Sequence, residues 1–331
     1  MALKRKLSDK LNGRDVFTYT IKADGLEADV CDMGARINAL RVDGRDIVLG
    51  FNSVEEYLKS GSYAGATIGR VANRIGGGRF VLDNKPYFLN NNEGSNHLHG
   101  GNIGFDKNLF DVISQTESSV TMRYTSEDNE ERYPGKLILT VSFVLKDRAL
   151  LIEFSAISDK DTLWNPTNHA YFNLDGEDSG DCRNNLLQIN AGYYTPTDDE
   201  LIPTGEKVQV KGTPFDFNAL KAIGSDFHNT ALKATDGYDH NYVLSGEYAA
   251  HAESSKTGIK MDVYTDMPCI QLYTGGALKP CRGKTRAYNQ WAGFCLEPQY
   301  CPNAINLGGF EKPILYKNKE KVHYIKFSFT K

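Results

Sequence analysis

The chain has 331 residues, 40 % of them hydrophobic and 24 % charged, which is the balance of a globular protein with ample length to bury a large core. The formal net charge of −4 carries no basic excess, which argues against nucleic acid or an anionic membrane surface as a partner. No run approaches the ~20 apolar residues of a membrane span, and the basic opening "MALKRKLSDKLNGRDVF" lacks the apolar stretch of a secretory signal.

In chain order the strand signals dominate. "DVFTYTIK" alternates Val16, Thr18 and Thr20 with Phe17, Tyr19 and Ile21. "SVEEYLKS", near residue 53, reads as a short connecting helix. "RFVLDNKPYFLN" predicts a hairpin turning at Asp83-Asn84. "KLILTVSFVLKDRALLIEFSAIS" is two β-branched and aromatic runs joined at Lys146-Asp147-Arg148. "FNALKAIG", near residue 217, reads as a second short helix. "IKMDVYTDMPCIQLYTG" and the closing "KVHYIKFSFTK" return to the strand pattern. The 31 glycines and 11 prolines fall mostly between these runs, as turn residues do. Many short strands without alternating helices predict an all-β fold, a large antiparallel β-sandwich over residues 1–331 read as one domain. The six cysteines form no CxxC pair and no repeated spacing, so they read as reduced thiols of a cytoplasmic protein.

Four segments are too polar for ordinary turns. "GATIGRVANRIGGGRF" sets Arg70, Arg74 and Arg79 among glycines, with Asn73 beside Arg74; it lacks the G-K-[ST] ending of a phosphate loop, and an Asn-Arg pair is a good donor set for sugar hydroxyls. "NEGSNHLHGGNIGFD" carries His97 and His99, which on a strand would face one side and could chelate a metal. No glutamate follows at the spacing such metal sites use, so a histidine that hydrogen-bonds a ligand or its own loop is the preferred reading, and no metal is assigned. "NPTNHAYFNL" surrounds His169 with Asn165, Asn168, Asn173 and Tyr171, neutral groups suited to orienting a ring or its neighbouring loops without fixing its charge. "GFCLEPQYCPNAIN" places Glu297 in an apolar strand-like run, where a carboxylate is costly unless paired or functional. A weaker signal is Asp239 in "DGYDHNYVL". Together these supply one acid–base histidine, one strand carboxylate and several hydrogen-bond donors, a set that suits a neutral polyhydroxylated ligand.

In this order, "GATIGRVANRI", "NHLHGG…GFD", "TNHAYFNLDG", "YTPTDDELIPTGE", "GYDHNYVL" and "GFCLEPQ…PNAIN" resemble the aldose 1-epimerase (galactose mutarotase) family. The resemblance implies a large β-sandwich with an open cleft and a cofactor-free interconversion of α and β anomers of hexoses such as galactose and glucose. It implies His169 as proton donor, Glu297 as proton acceptor, and Asn73, Arg74, His99, Tyr171, Asp239 and Gln271 as sugar-binding positions. Tyr171 is expected to offer the sugar both its ring and its hydroxyl. The expected partner is a small sugar, bound by a monomer or homodimer. The chain departs from the family pattern at Gly276 in "YTGG" and at Asn303 in "CPNAIN". Mutarotation needs a base at the anomeric hydroxyl and an acid at the ring oxygen, and nearby carboxylates are expected to hold His169 as imidazolium in a partly wet cleft. The rival readings are a hexose-phosphate epimerase using the arginines, a sugar-binding module without turnover, and a glycosidase using Asp239 with Glu297.

Overall fold

The computed structural model describes residues 5–331, so the first four residues of the basic opening lie outside the described part. Three antiparallel sheets carry the fold. The first is a five-stranded meander from Arg5–Leu11 to Arg45–Asp46, in sequence order. The second has nine strands, with Leu137–Lys146, Ala149–Ser158 and Lys321–Thr330 side by side at its centre. The third has six strands, and four of them form the floor of the functional site: β1 (Tyr171–Phe172), β2 (Asp239–Leu244), β3 (Cys269–Tyr273) and β4 (Phe294–Gln299). Their order across the sheet is β1-β4-β3-β2. The all-β sandwich expected from the strand pattern is the fold observed.

One face of the six-stranded sheet supplies Phe172, Ile270, Leu272, Phe294 and Leu296 to the main apolar core, which also draws Phe154, Met261, Val263 and Phe327 from the nine-stranded sheet. Phe172 meets Phe327 with ring centroids 4.9 Å apart. Burying a side chain of this size contributes about 1.5–3 kcal/mol, so this face anchors the sheet.

Local chemistry explains most elements. The helix α1 (Val54–Ser60) starts at Ser53, whose hydroxyl accepts from the Glu56 backbone N–H, carries Glu55 and Glu56 in its first turn, and ends at Gly61 with φ 59°. Asp83 and Asn84, at φ 50° and 59°, form the two-residue hairpin turn, and Asp147 and Arg148 repeat that geometry at 52° and 55°. "IKMDVYTDMPCIQLYTG" is divided between sheets, Lys260–Thr265 in the nine-stranded one and β3 in the six-stranded one. "FNALKAIG" is not an α-helix. Asp216 Oδ1 accepts from both the backbone N–H and the side-chain amide of Asn218, and Lys221–Ala222 pairs with Leu186–Leu187 at the sheet edge before a 3₁₀ turn. The edge pairing and this local turn override a weak helical preference.

Candidate active site

The second face of the six-stranded sheet is polar and buried. Cross-strand register sets Tyr171, Cys295, Tyr273 and Asp239 in one row, and Glu297, Gln271 and Asn241 in the next. Residues opposite one another in a sheet share a face, so these two rows pave one surface. β4 is buried along its whole length: Phe294, Leu296 and Pro298 alternate with Cys295, Glu297 and Gln299. Above this floor lies a cleft of about 350 Å³ whose lining includes Asn73, Arg74, His99, His169, Asp239 and Glu297.

His169 sits on the segment between Thr167–Asn168 and β1. Its N–H donates to Ala66 O and its carbonyl accepts from the Gly65 N–H, both at 2.9 Å, so the backbone is held on both sides. The ring stacks on Tyr171 with centroids 5.0 Å apart. Nε2 lies 3.9 Å from Glu297 Oε1, while Nδ1 contacts the Cys295 thiol at 3.4 Å. The three asparagines around His169 do not touch its ring. Asn165 accepts from the Tyr300 N–H, Asn168 donates to Gly65 O and Asn173 donates to Ala292 O, so they brace the neighbouring loops. The neutral partner of the ring is Cys295, whose thiol either donates to Nδ1 or accepts from it, and therefore suits both protonation states of the imidazole.

Glu297 is 2 % exposed and His169 4 %. Burial pulls the His169 imidazole down to about 4, against the raising effects of its own backbone and of Asp239. Burial first, and the Asp239 charge second, push the Glu297 carboxyl well above its ordinary range, with Arg74 opposing. Both shifts favour the uncharged pair. This corrects the expectation that nearby carboxylates would hold His169 as imidazolium: desolvation on this floor outweighs them.

The remaining residues divide by role. Asn73, at φ 60°, donates its N–H to His99 Nδ1, and its side-chain oxygen accepts from the Arg74 N–H. Arg74 forks onto Glu93 at 2.6 and 2.8 Å, and its third nitrogen lies 3.9 Å from Asp239. Asp239 also accepts from Gln271 Nε2 at 2.7 Å, which places Gln271 behind Asp239 on the floor. Gln271 Oε1 and Glu297 Oε2 are buried without a partner among the described residues; Glu297 lines the cleft, where its oxygen can meet a hydroxylated ligand, whereas Gln271 is not part of the lining. The Tyr171 hydroxyl donates its proton to Ser62 O at 3.0 Å, so Tyr171 offers its ring to His169 and has no hydroxyl donor left for a sugar.

His97 and His99 do not act together. The short strand ends at Leu98, and His99 at φ 50° turns into the cleft. His97 is fully buried, with one ring nitrogen on Asn90 O and the other on the Tyr133 hydroxyl. The donor cluster found among the described residues is a different one: His169, Cys295 and Glu297 bring a nitrogen, a sulfur and an oxygen within 4.8 Å of one another.

Sequence reasoning missed Glu93, Cys295 and Tyr63. Cys295 was within reach of it, because it stands two residues before Glu297 in a strand and so shares its face. The arginines also separate. Arg70 is 2 % exposed and donates to Ser126, Glu127 O, Pro134 O and Thr162 far from the cleft, and Arg79 is exposed. Asn303 accepts from the Gly76 N–H and donates its own N–H to Arg74 O, bracing the arginine from behind. Gly276 lines the cleft where a Cβ would come within 2.1 Å of Thr235 O, so this chain admits no side chain there without moving that loop.

Residues 18–328 match the family model described as aldose 1-epimerase. The chain belongs to the aldose 1-epimerase family. It is 39 % identical to galactose mutarotase of Sus scrofa, covering 94 % of this chain and 93 % of that protein. It is 37 % identical to aldose 1-epimerase of Escherichia coli K12 over 87 % of each chain. The crystal structure of galactose 1-epimerase from Lactobacillus acidophilus superposes with a TM-score of 0.88, at 30 % identity and 99 % coverage of both chains. The Caenorhabditis elegans homologue of the epimerase superposes at 0.87, with 28 % identity.

Proposed function

We propose that His169 and Glu297 carry out mutarotation in this cleft, converting the α and β anomers of a free hexose such as galactose or glucose. The observation that carries the reading is the buried pair 3.9 Å apart at the floor of an open cleft with polar walls. Ring opening takes the proton of the anomeric hydroxyl (O1–H) onto the Glu297 carboxylate and gives a proton from the His169 imidazolium to the ring oxygen. The C1–O5 bond breaks, C1 becomes an aldehyde, and the pair is left as carboxylic acid and neutral imidazole. Rotation about C1–C2 and the reverse transfers close the ring on the other face. Two protons move and no atom changes oxidation state, so the pair suffices without a cofactor. The uncharged form that burial favours is the form that accompanies the open aldehyde. The charged form differs from it by one proton moved between neighbouring groups.

Arg74, with Asp239, Asn73 and His99, is suited to hold the remote hydroxyls, which leaves the C1–C2 end free to turn. The wall favours a neutral sugar over a sugar phosphate. Arg74 is already paired, Arg70 and Arg79 do not join it, and Glu93, Asp236 and Asp239 give the lining an acidic balance. We read the chain as one domain, because a single apolar core runs from Tyr19 to Phe329, and as a cytoplasmic monomer or homodimer. No helix among the described residues is long and apolar enough to cross a membrane.

The test is polarimetry on fresh α-galactose and α-glucose, before and after exhaustive EDTA dialysis, with glucose 6-phosphate as competitor. Catalysed decay of rotation that survives EDTA and resists the phosphate is the expected result. Binding without any acceleration would make the protein a sugar-binding module. Loss on chelation with recovery on adding a divalent metal would assign the His169, Cys295 and Glu297 cluster to an ion.

A further inference from the structure

The loop after α1 holds a residue that neither the motifs nor the acid–base pair accounts for. Tyr63 has φ 58°, in the left-handed region where a bulky aromatic residue is a genuine outlier. The loop around it enforces this conformation. Gly61 caps α1 at φ 59°, Ser62 O accepts from the Tyr171 hydroxyl, and Tyr63 O accepts from the Ala66 N–H at 3.0 Å. Backbone strain of this kind persists only where the surroundings over-determine it, and it collects at ligand-binding positions.

The strained backbone delivers the ring to the cleft. Tyr63 is part of the lining, with its centroid 4.7 Å from the His99 ring and 5.9 Å from the His169 ring, nearly parallel to the latter at 22°. His169 therefore lies between two tyrosines, Tyr171 from the floor and Tyr63 from the wall. The two tyrosines differ in one respect. The Tyr171 hydroxyl has given its proton to Ser62 O, whereas the Tyr63 hydroxyl has no hydrogen-bond partner among the described residues. The ring is half-buried, so its face and its hydroxyl remain available to whatever occupies the cleft.

A pyranose has the complementary surface: a patch of C–H groups on one face and hydroxyls around its rim. We propose that Tyr63 is a substrate-contacting residue, its ring covering the C–H face of the sugar beside His169 and its hydroxyl bonding a hydroxyl of the rim. The strained loop turn holds the ring in place before the sugar arrives, so ordering it costs nothing at binding. By covering that side of the acid, the ring also limits water at the ring oxygen. This rests on the reading of the cleft as a sugar site.

Three proteins test it: wild type, Tyr63→Phe and Tyr63→Asn, the last because asparagine tolerates the left-handed region. KM and kcat are measured by polarimetry and the melting temperature by circular dichroism. Tyr63→Phe should raise KM about three- to tenfold, the size of one neutral hydrogen bond, with kcat nearly unchanged. Tyr63→Asn should raise KM further. Its melting temperature should stay near the wild-type value, since the lost packing on Ala66, Ile68 and Ala72 is offset by relief of the backbone. A wild-type KM in both variants overturns the proposal, and so does a fall in melting temperature with KM unchanged, which would make Tyr63 a packing residue. Should the Asn variant fail to fold, the KM of Tyr63→Phe decides alone. Wild-type protein without catalytic turnover would instead remove the reading of the cleft on which this one stands.

Discussion

The two faces of the six-stranded sheet are opposite in chemistry. One packs Phe172, Leu272, Phe294 and Leu296 into the core, and the other sets Cys295, Glu297, Gln271 and Asp239 in the floor beneath the cleft. Strand alternation makes both from the same strands: in β4, the core side chains Phe294 and Leu296 are followed by Cys295 and Glu297. The apolar face contributes stability through burial. The polar face gives some of it up, because a carboxylate and an imidazole are held away from water. A position on this sheet should therefore affect either stability or turnover, according to whether it is odd or even along the strand.

The largest effect expected from breaking that contrast is on turnover. Glu297→Gln and His169→Asn should each lower kcat by ~10²–10⁴-fold, with the fold intact by circular dichroism. Leu296→Ala, one residue from Glu297, should instead cost ~2–5 kcal/mol of stability and leave the kcat of the folded protein near wild type. A Glu297→Gln protein that turns over normally removes the base assignment. A Leu296→Ala protein that keeps its stability and loses activity removes the division between faces.

The pH profile sharpens the same contrast. The pair carries one proton between two macroscopic steps, and activity follows that proton count, wherever the proton sits. On the acid side, kcat/KM should fall as His169 takes up a second proton, below about 4. On the alkaline side it should fall as the last proton leaves Glu297, whose carboxyl is held well above its ordinary range. With spontaneous mutarotation subtracted, the residual activity of His169→Asn, which needs the Glu297 carboxylate as base, should lack the alkaline limb and fall on the acid side where the raised Glu297 carboxyl protonates. An acid limb unchanged in that variant would mean that another group titrates there.

Arg74→Lys should raise KM about tenfold or more, because a lysine cannot copy a fork that grips Glu93 and still reaches toward Asp239. An unchanged KM would make Arg74 a structural partner of Glu93 alone.

Sequence pattern resolved much of this molecule for physical reasons. The α1 signals are local: a serine cap, two acidic residues and a glycine stop, all within ten positions. The hairpins at Asp83-Asn84 and Asp147-Arg148 are equally local. "FNALKAIG" failed because its fate is set by pairing with Leu186–Leu187, a contact no short window contains. In the site, Glu297 stood out because a carboxylate in an apolar strand is costly, and Asn73, Arg74, His99 and Asp239 do line the cleft. The free hydroxyl expected of Tyr171 was unreadable because its acceptor, Ser62 O, lies 109 residues away. The protonation of His169 was misjudged for the same reason: it depends on how completely distant segments cover the ring. Tyr63 left no signal, since a positive φ at tyrosine is imposed by the fold and not by the residue.

The smallest effect is the most direct measure of what the polar face costs. In the unfolded chain, Glu297 titrates near its ordinary value of 4.5, whereas in the folded protein burial raises it well above that. Above 4.5 the unfolded chain releases a proton that the native protein keeps, so the unfolded state binds fewer protons and stability falls as pH rises. The loss continues until the folded carboxyl itself ionises. Glutamine has no such proton. Glu297→Gln should therefore be at least as stable as wild type near pH 5 and gain on it as pH rises, until the folded carboxyl ionises, by about 1.4 kcal/mol for each pH unit of that window in the limit where no other group responds. Urea unfolding of both proteins at three pH values reads the difference. A gap that stays constant with pH would mean that Glu297 ionises in the folded protein as it does in the unfolded one. A gap that closes as pH rises would mean that the native site stabilises the carboxylate, and that the polar face lowers stability through some other group.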